Sequence, residues 1–300
     1  MNGPCVMLHA AMVTATWWLP PDHSRNGRAI DDLFTLIFCI SVAVLVGVHA
    51  ALAFFLVRYR HRKGQRTAKF IHGYTRLEIG WTLFTAGVLT GLAVLSTRVW
   101  DKYQRTDTPR TVADALPLVR AMVIGQQFKW NVIYPGPDGV LGRYLTYPKP
   151  TDTRWPDGER FRGVSGPAAL PRETAVEAIN AYVEQINPLG KDFTDPAGAD
   201  DDWENALARD LVLPVDRPIE LQIGSRDVIH NVSIPLLRVK MDAVPGLIGT
   251  INFTATQTSD VSPTGYFDLV CQELCGSGHY KMNARLRIVS AAEWANGGRK

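Results

Sequence analysis

Residues 33–57 run for about 25 positions without an Asp, Glu, Lys or Arg, against the roughly 20 apolar residues that cross a hydrocarbon core as a helix. A segment of that length and purity commits the chain to a membrane before any other feature is considered. Residues 77–99 make a second, somewhat less apolar span, in which Gly87 and Gly91 hold the small-xxx-small spacing that lets helices approach closely. Lipid-facing tolerance explains the same glycines as well as a partner helix does. Residues 58–76 between the spans carry Arg58, Arg60, Arg62, Lys63, Arg66, Lys69 and Arg76. Such a loop stays in the cytoplasm, so both termini lie outside. Glu78, at the cytoplasmic end of the second span, is either a snorkelling anchor or part of an ion pathway. Ile30-Asp31-Asp32 puts acidic residues at the positive end of the first helix.

Residues 1–32 form an extracytoplasmic N-terminal segment. Its stretch from Cys5 to Leu19 is modestly apolar but lacks the basic start and small-residue cleavage site of a secretory signal, which leaves open whether part of it is a cleaved leader. A linker, 100–117, follows the second span. From 118 to 300 the chain reads as short β-rich runs at 118–124, 128–134, 219–224, 228–234, 248–254, 266–270 and 286–289, separated by Gly and Pro. Alternation at that spacing predicts an antiparallel sandwich or barrel. The segment 146–209 interrupts it as an insertion: residues 172–186 predict a short amphipathic helix, and Asp192, Asp195, Asp200, Asp201 and Asp202 read as a solvated acidic loop without the spacing of a calcium-binding EF-hand. A net charge of +3, with no Lys/Arg stripe interleaved with aromatics after residue 110, excludes a nucleic-acid partner. Of the four cysteines, Cys5 and Cys39 lie in apolar segments, so no disulfide framework is indicated.

The remaining two cysteines carry the chemistry. Cys271, Cys275, His279 and Met282 fall within twelve residues, CQELCGSGHYKM, a set of soft donors that favours copper or zinc over magnesium or calcium. Structural zinc closes with Cys and His and rarely recruits a thioether, so Met282 argues for copper. One Cys, two His and a weak Met would make a mononuclear blue copper site, which leaves a thiolate over. Two sulfurs can instead bridge two coppers, each with its own His. Either arrangement needs a second imidazole from elsewhere, and His230, in the alternating stretch DVIHNVSIP, supplies it. The rival use of Cys271 and Cys275 is a disulfide, which leaves His279 and Met282 unexplained.

The pair DVIHNVSIP and CQELCGSGHYKM, joined by RVKMDAVPGLIG, closely resembles subunit II of the haem-copper oxygen reductases, the family with a binuclear copper A centre. The resemblance covers most of the chain outside the insertion. It implies a two-helix transmembrane hairpin followed by a cupredoxin-like Greek-key β-barrel or sandwich. It further implies that Cys271 and Cys275 bridge the coppers, that His230 and His279 bind one each, and that Met282 and the backbone carbonyl of Glu273 are weak axial ligands. The Glu273 side chain would share a magnesium or manganese ion with subunit I. Partners would be subunit I, other oxidase subunits and a cytochrome c-type donor, with haem in the partner subunit only. Localisation would be the bacterial inner membrane, with the copper domain on the periplasmic side.

Two positions depart from the common pattern. Glu78 and Trp81-Thr82 resemble the glutamate at the mouth of a proton channel, but Thr85 stands where a Pro often follows, so this helix is expected to be less kinked. In Gln126-Gln127-Phe128-Lys129-Trp130, Phe128 replaces the Trp through which electrons are thought to arrive, leaving Trp130 of a Trp-x-Trp pair. Trp130 has a bland reading as a core residue. The expected function is to accept electrons at copper and pass them to haem in subunit I, where oxygen is reduced to water and protons are pumped. The alternative is a membrane-anchored copper-delivery or assembly protein, although those usually place their His after the cysteines. A quinol-oxidising relative is disfavoured because its members have lost copper ligands complete here. Nitrous oxide reductase shares the copper module but needs a large propeller.

Overall fold

The protein is described by a computed structural model covering residues 19–61, 64, 73–104, 118–145, 189–192, 194–202 and 210–297. It divides into two units, one built around Asn26–Tyr103 and the other from Asp22–Arg25 with Gln104–Lys300.

The first unit holds helices α1 (Gly27–Arg58) and α2 (Thr75–Gln104), each long and apolar enough to cross a membrane. The 32 residues of α1 amount to roughly 48 Å of helix, well beyond a hydrocarbon core of ~30 Å. Helix α1 begins at Gly27, earlier than Asp31 and Asp32 suggest, and its first turn contains no acidic residue. Asp31 and Asp32 therefore sit too far along to complement the orphan N–H groups of the first turn. Polar side chains in the spans bond to their own helices: Ser41 Oγ donates to the Ile37 carbonyl at 2.8 Å and Thr97 Oγ1 to the Ala93 carbonyl at 2.9 Å, which satisfies them where water is absent. A Cβ added at Gly87 or Gly91 would meet nothing within 4 Å. The small-xxx-small pair is thus not used against any described part of this chain. Glu78 lies in the first turn of α2 and is exposed.

The second unit is a two-sheet sandwich. One sheet has the order β2 (Lys129–Ile133), β1 (Val119–Gln126), β4 (Ile219–Ser225), β7 (Gly249–Phe253). The other runs β3 (Leu211–Pro214), β9 (Asn283–Val289), β8 (Phe267–Cys271), β5 (His230–Ile234), β6 (Val239–Ala243). Between them sit side chains with no exposure at all, among them Val123, Val132, Leu213, Leu221, Val232, Ile234 and Leu269. Most ladders are antiparallel, but β1 pairs parallel with β4 and β3 parallel with β9. The wholly antiparallel expectation needs that correction, because alternation fixes which face a side chain occupies and not the direction of the neighbouring strand. The parallel pairs tie distant segments together, and the two sheets make the sandwich expected of a cupredoxin-like domain. Strands β3 and β6 were not among the expected runs: β3 is four residues ending in Pro214, too short to alternate visibly.

Residues 22–25 also belong to this unit. Ser24 forms an antiparallel bridge with Ala255, and the His23 ring stacks on Phe267 with centroids 5.3 Å apart.

The amphipathic helix expected at 172–186 lies outside the described residues. The acidic stretch within the insertion is folded and not simply solvated. Asp201 is buried, and its Oδ2 accepts hydrogen bonds from the Gly142 N–H and the Tyr144 hydroxyl, both at 2.9 Å. Asp195 accepts from the Arg143 N–H, and the Arg143 guanidinium pairs with Asp192 at 2.9 Å. Glycine at 142 is required, since a Cβ there would lie 2.4 Å from the Gly198 Cα. Burial raises the Asp201 carboxyl above its usual range, and burial together with Asp201 raises the Tyr144 hydroxyl. Leu189 is fully buried and joins Met122, Ile124, Ile133 and Tyr144 in one apolar cluster.

Candidate metal centre

Two neighbouring strands bring the donors to one end of the second sheet. Strands β5 and β8 are antiparallel, with Val232 opposite Cys271. Side chains directly opposite each other share a face, and His230 lies two residues before Val232 on that face. His230 opens β5 and Cys271 closes β8, so antiparallel pairing sets them at the same edge.

The chain then leaves β8 and returns as β9, and the connection between them holds the other donors. Its start and end are pinned: the Cys271 N–H donates to the Met282 carbonyl at 3.1 Å and the Gln272 N–H to the Asn231 carbonyl at 3.2 Å. A tight turn, His279–Lys281, is closed by bonds from the Lys281 N–H to the Gly278 carbonyl and from the Met282 N–H to the His279 carbonyl. It folds His279 and Met282 back toward Cys275.

The donors converge. Cys271 Sγ lies 3.9 Å from Cys275 Sγ and 4.0 Å from His230 Nδ1. Cys275 Sγ lies 3.6 Å from His279 Nδ1 and 3.7 Å from Met282 Sδ. The Glu273 carbonyl oxygen is 3.2 Å from Cys271 Sγ, while the Glu273 side chain is exposed. His230, Cys271 and Cys275 alone place their ligand atoms within 4.8 Å of one another. Both cysteines are free, the sulfur separation being far beyond the about 2.05 Å of a disulfide. Each sulfur faces a different imidazole, and the set is wholly soft apart from one backbone oxygen. That donor set fits a pair of copper ions and fits magnesium or calcium badly. Burial, reinforced by Cys271, pushes the Cys275 thiol up to about 11. Two adjacent buried thiolates are unfavourable by themselves, and a bound cation would reverse that preference.

The surroundings include residues that the sequence did not single out. Asp227 Oδ1 accepts from His230 Nε2 at 2.8 Å and from the Val228 N–H at 2.7 Å, while Oδ2 accepts from the Gln127 N–H at 2.7 Å. Burial opposes ionisation of Asp227, but these hydrogen bonds together hold its carboxyl below the usual value. Since a carboxylate can only accept, the Nε2 proton is fixed and His230 presents Nδ1 to the sulfurs. The Asp-x-x-His spacing was the available signal for Asp227. Gln127 carried none, since its side chain reaches the Cys275 carbonyl, 2.6 Å away, across 148 positions.

Trp130 is buried and meets the His230 ring edge-on at 5.8 Å. Both rings crowd Gly125, where a Cβ would lie 2.7 Å from His230 Cδ2 and 3.0 Å from Trp130 Cζ3. Phe128, half-buried, covers the loop: a Cβ at Gly278 would come within 2.3 Å of its ring. Leu274 and Tyr280 stand out from the loop, 79% and 86% exposed. Glu78 belongs to the other unit.

Residues 13–99 match the family described as cytochrome C oxidase subunit II, transmembrane domain, and residues 202–289 match its periplasmic domain. Together the two matches account for more than half of the chain. Among curated relatives, the chain is 27% identical over 282 residues to the alternative cytochrome c oxidase subunit 2 of Bradyrhizobium diazoefficiens, covering 93% of this chain and 81% of that one. It is 25% identical over 275 residues to cytochrome c oxidase subunit 2 of Cereibacter sphaeroides, covering 92% and 77%. Among solved structures it is similar to the periplasmic domain of subunit II of cytochrome oxidase of Bradyrhizobium japonicum, at 24% identity, 59% coverage of this chain and 88% of the other, with a TM-score of 0.33.

Proposed function

The chain belongs to the family of cytochrome c oxidase subunit II and is a membrane-anchored protein, and from that premise we propose that it relays electrons through a binuclear copper centre in its β-sandwich. The observation that carries this reading is the convergence of two unpaired thiols 3.9 Å apart with a separate imidazole against each. Cys271, Cys275, His230, His279 and Met282, with the Glu273 carbonyl, would hold the two ions. Bound there, copper supplies a one-electron relay whose charge is spread over two ions held in a constrained site.

The protein's own residues do the rest. Trp130 and Phe128 shield the centre from water, and Asp227 fixes the His230 ring. Electrons would come from a cytochrome c-type donor and leave for haem in subunit I. With Phe128 where many relatives carry Trp, the indole that meets a ligand ring among the described residues is Trp130, and it is the candidate relay from the donor. The exposed Glu273 carboxylate would hold magnesium or manganese shared with subunit I, as hard cations prefer oxygen. Glu78, in the first turn of α2, would sit at the cytoplasmic mouth of a proton path in a bacterial inner membrane, with the sandwich on the periplasmic side.

The test is to load the full-length chain with copper in detergent and measure copper per chain with an electron paramagnetic resonance spectrum. Two coppers with a mixed-valence signal are expected. A single blue copper or zinc alone would overturn the reading, and rapid transfer of the bound copper to an apo-acceptor would favour a copper-delivery protein instead.

A further inference from the structure

The ligands sit on two segments, one starting β5 and one leaving β8, and a hydrogen-bonded chain outside the donor set joins them. Its centre is Gln127, in the turn between β1 and β2. The Gln127 amide side chain donates to the Cys275 carbonyl at 2.6 Å. The Gln127 backbone N–H donates to Asp227 Oδ2 at 2.7 Å, and Asp227 Oδ1 accepts from His230 Nε2 at 2.8 Å. One residue therefore touches, through its two nitrogens, the backbone of a bridging cysteine and the carboxylate that orients a histidine.

The loop is shaped for this contact. Gly276, directly after Cys275, has φ 132°, and a Cβ there would lie 2.8 Å from Gln127 Nε2 and 3.1 Å from the Phe128 ring. A left-handed glycine at that point lets the Cys275 carbonyl turn toward the amide.

We propose that Gln127 is a positioning residue that fixes the spacing between the His230 segment and the Cys275 segment, and through that spacing sets how tightly the centre holds copper and at what potential it exchanges an electron. The proposal rests on the copper reading above. Cys275 lies on a segment of bends and turns from Gln272 to Ser277, so its separation from Cys271 at the end of β8 and from His230 depends on whatever holds that segment to its neighbours. Gln127 does so from outside the β8–β9 connection with a side-chain hydrogen bond, beside the packing of Phe128 on Gly276 and Gly278. Partners of this kind, acting through a ligand rather than on the metal, commonly alter metal affinity by about 10- to 100-fold.

Gln127→Met in the full-length chain tests it. Methionine is similar in length, keeps the backbone N–H to Asp227 and removes the side-chain amide, donor and acceptor together. The expected result is copper lost to a competing chelator at least about 10-fold more readily, a shifted midpoint potential, and an unchanged unfolding temperature of the copper-free protein. Combining Gln127→Met with Asp227→Asn should cost less than the two single effects together, because both cut the same chain. Wild-type copper retention and potential in Gln127→Met would overturn the proposal while leaving the copper centre standing. Copper loss that merely follows a lowered unfolding temperature of the copper-free protein would overturn it too, since Gln127 would then be a general stabiliser. A wild-type chain that takes up fewer than two coppers would sink the copper reading itself, and the role of Gln127 with it.

Discussion

The two units use the same apolar residue types in opposite ways. In α1, Val44, Leu45, Val46 and Leu52 are each more than half exposed, whereas in the sandwich Val123, Ile124, Leu221 and Val232 have no exposure at all. On the helix the apolar surface is left for lipid, and backbone polarity is satisfied within each turn. In the sandwich the same surface is removed from solvent by strands a hundred or more positions away, such as β4 beside β1, where Val119 meets Ile219. Changing a residue of α1 therefore alters a solvent preference, and changing one of the sandwich alters a packed arrangement on which the donor geometry depends.

The sharpest way to probe that contrast is at the centre. His230→Asn should abolish the two-copper signal while circular dichroism of the sandwich stays unchanged, because the site draws on the fold more than the fold draws on the site. An intact two-copper spectrum in that variant would remove His230 from the ligand set. Next comes a matched pair of truncations. Ile124→Ala, in the sandwich, should cost about 2–5 kcal/mol in denaturant unfolding, and Leu45→Ala on the exposed face of α1 should leave the same transition unmoved. Equal effects at both sites would break the comparison. Gly278→Ala should strain the loop against Phe128 by about 1–3 kcal/mol and loosen copper, and pairing it with Phe128→Ala should restore retention.

The smallest effect concerns Asp201. Its carboxyl is raised chiefly by burial, so the folded state binds the proton more tightly than the unfolded one. Its contribution to stability is full below the ordinary carboxylate value of about 3.9 and is lost as pH rises through the higher folded value. Asp201→Asn keeps an acceptor for Gly142 and Tyr144. It should flatten that part of the profile of unfolding temperature against pH, with a gain below about 1 kcal/mol at neutral pH.

Much of the site was legible because its donors crowd one short loop. Cys271, Cys275, His279 and Met282 identify themselves by type and spacing, and His230 by being the imidazole such a set lacks. Asp227 was visible only as the third residue before His230, and Gln127 was not visible, since nothing local says that a turn after β1 will meet a carbonyl 148 positions on. The acidic stretch misled for a related reason: Asp201 looks solvated until Gly142 and Tyr144 arrive to bond it.

Composition along the chain was enough to determine two membrane helices, a β-rich domain beyond them and a set of soft metal donors, because hydropathy, alternation and ligand chemistry are properties of the residues themselves. Strand direction, the parallel joins of β1 to β4 and β3 to β9, the meeting of His230 with Cys271, and the outer chain through Gln127 and Asp227 were decided only in three dimensions. Each is a contact between residues far apart in sequence, and such contacts form only when the whole sandwich closes.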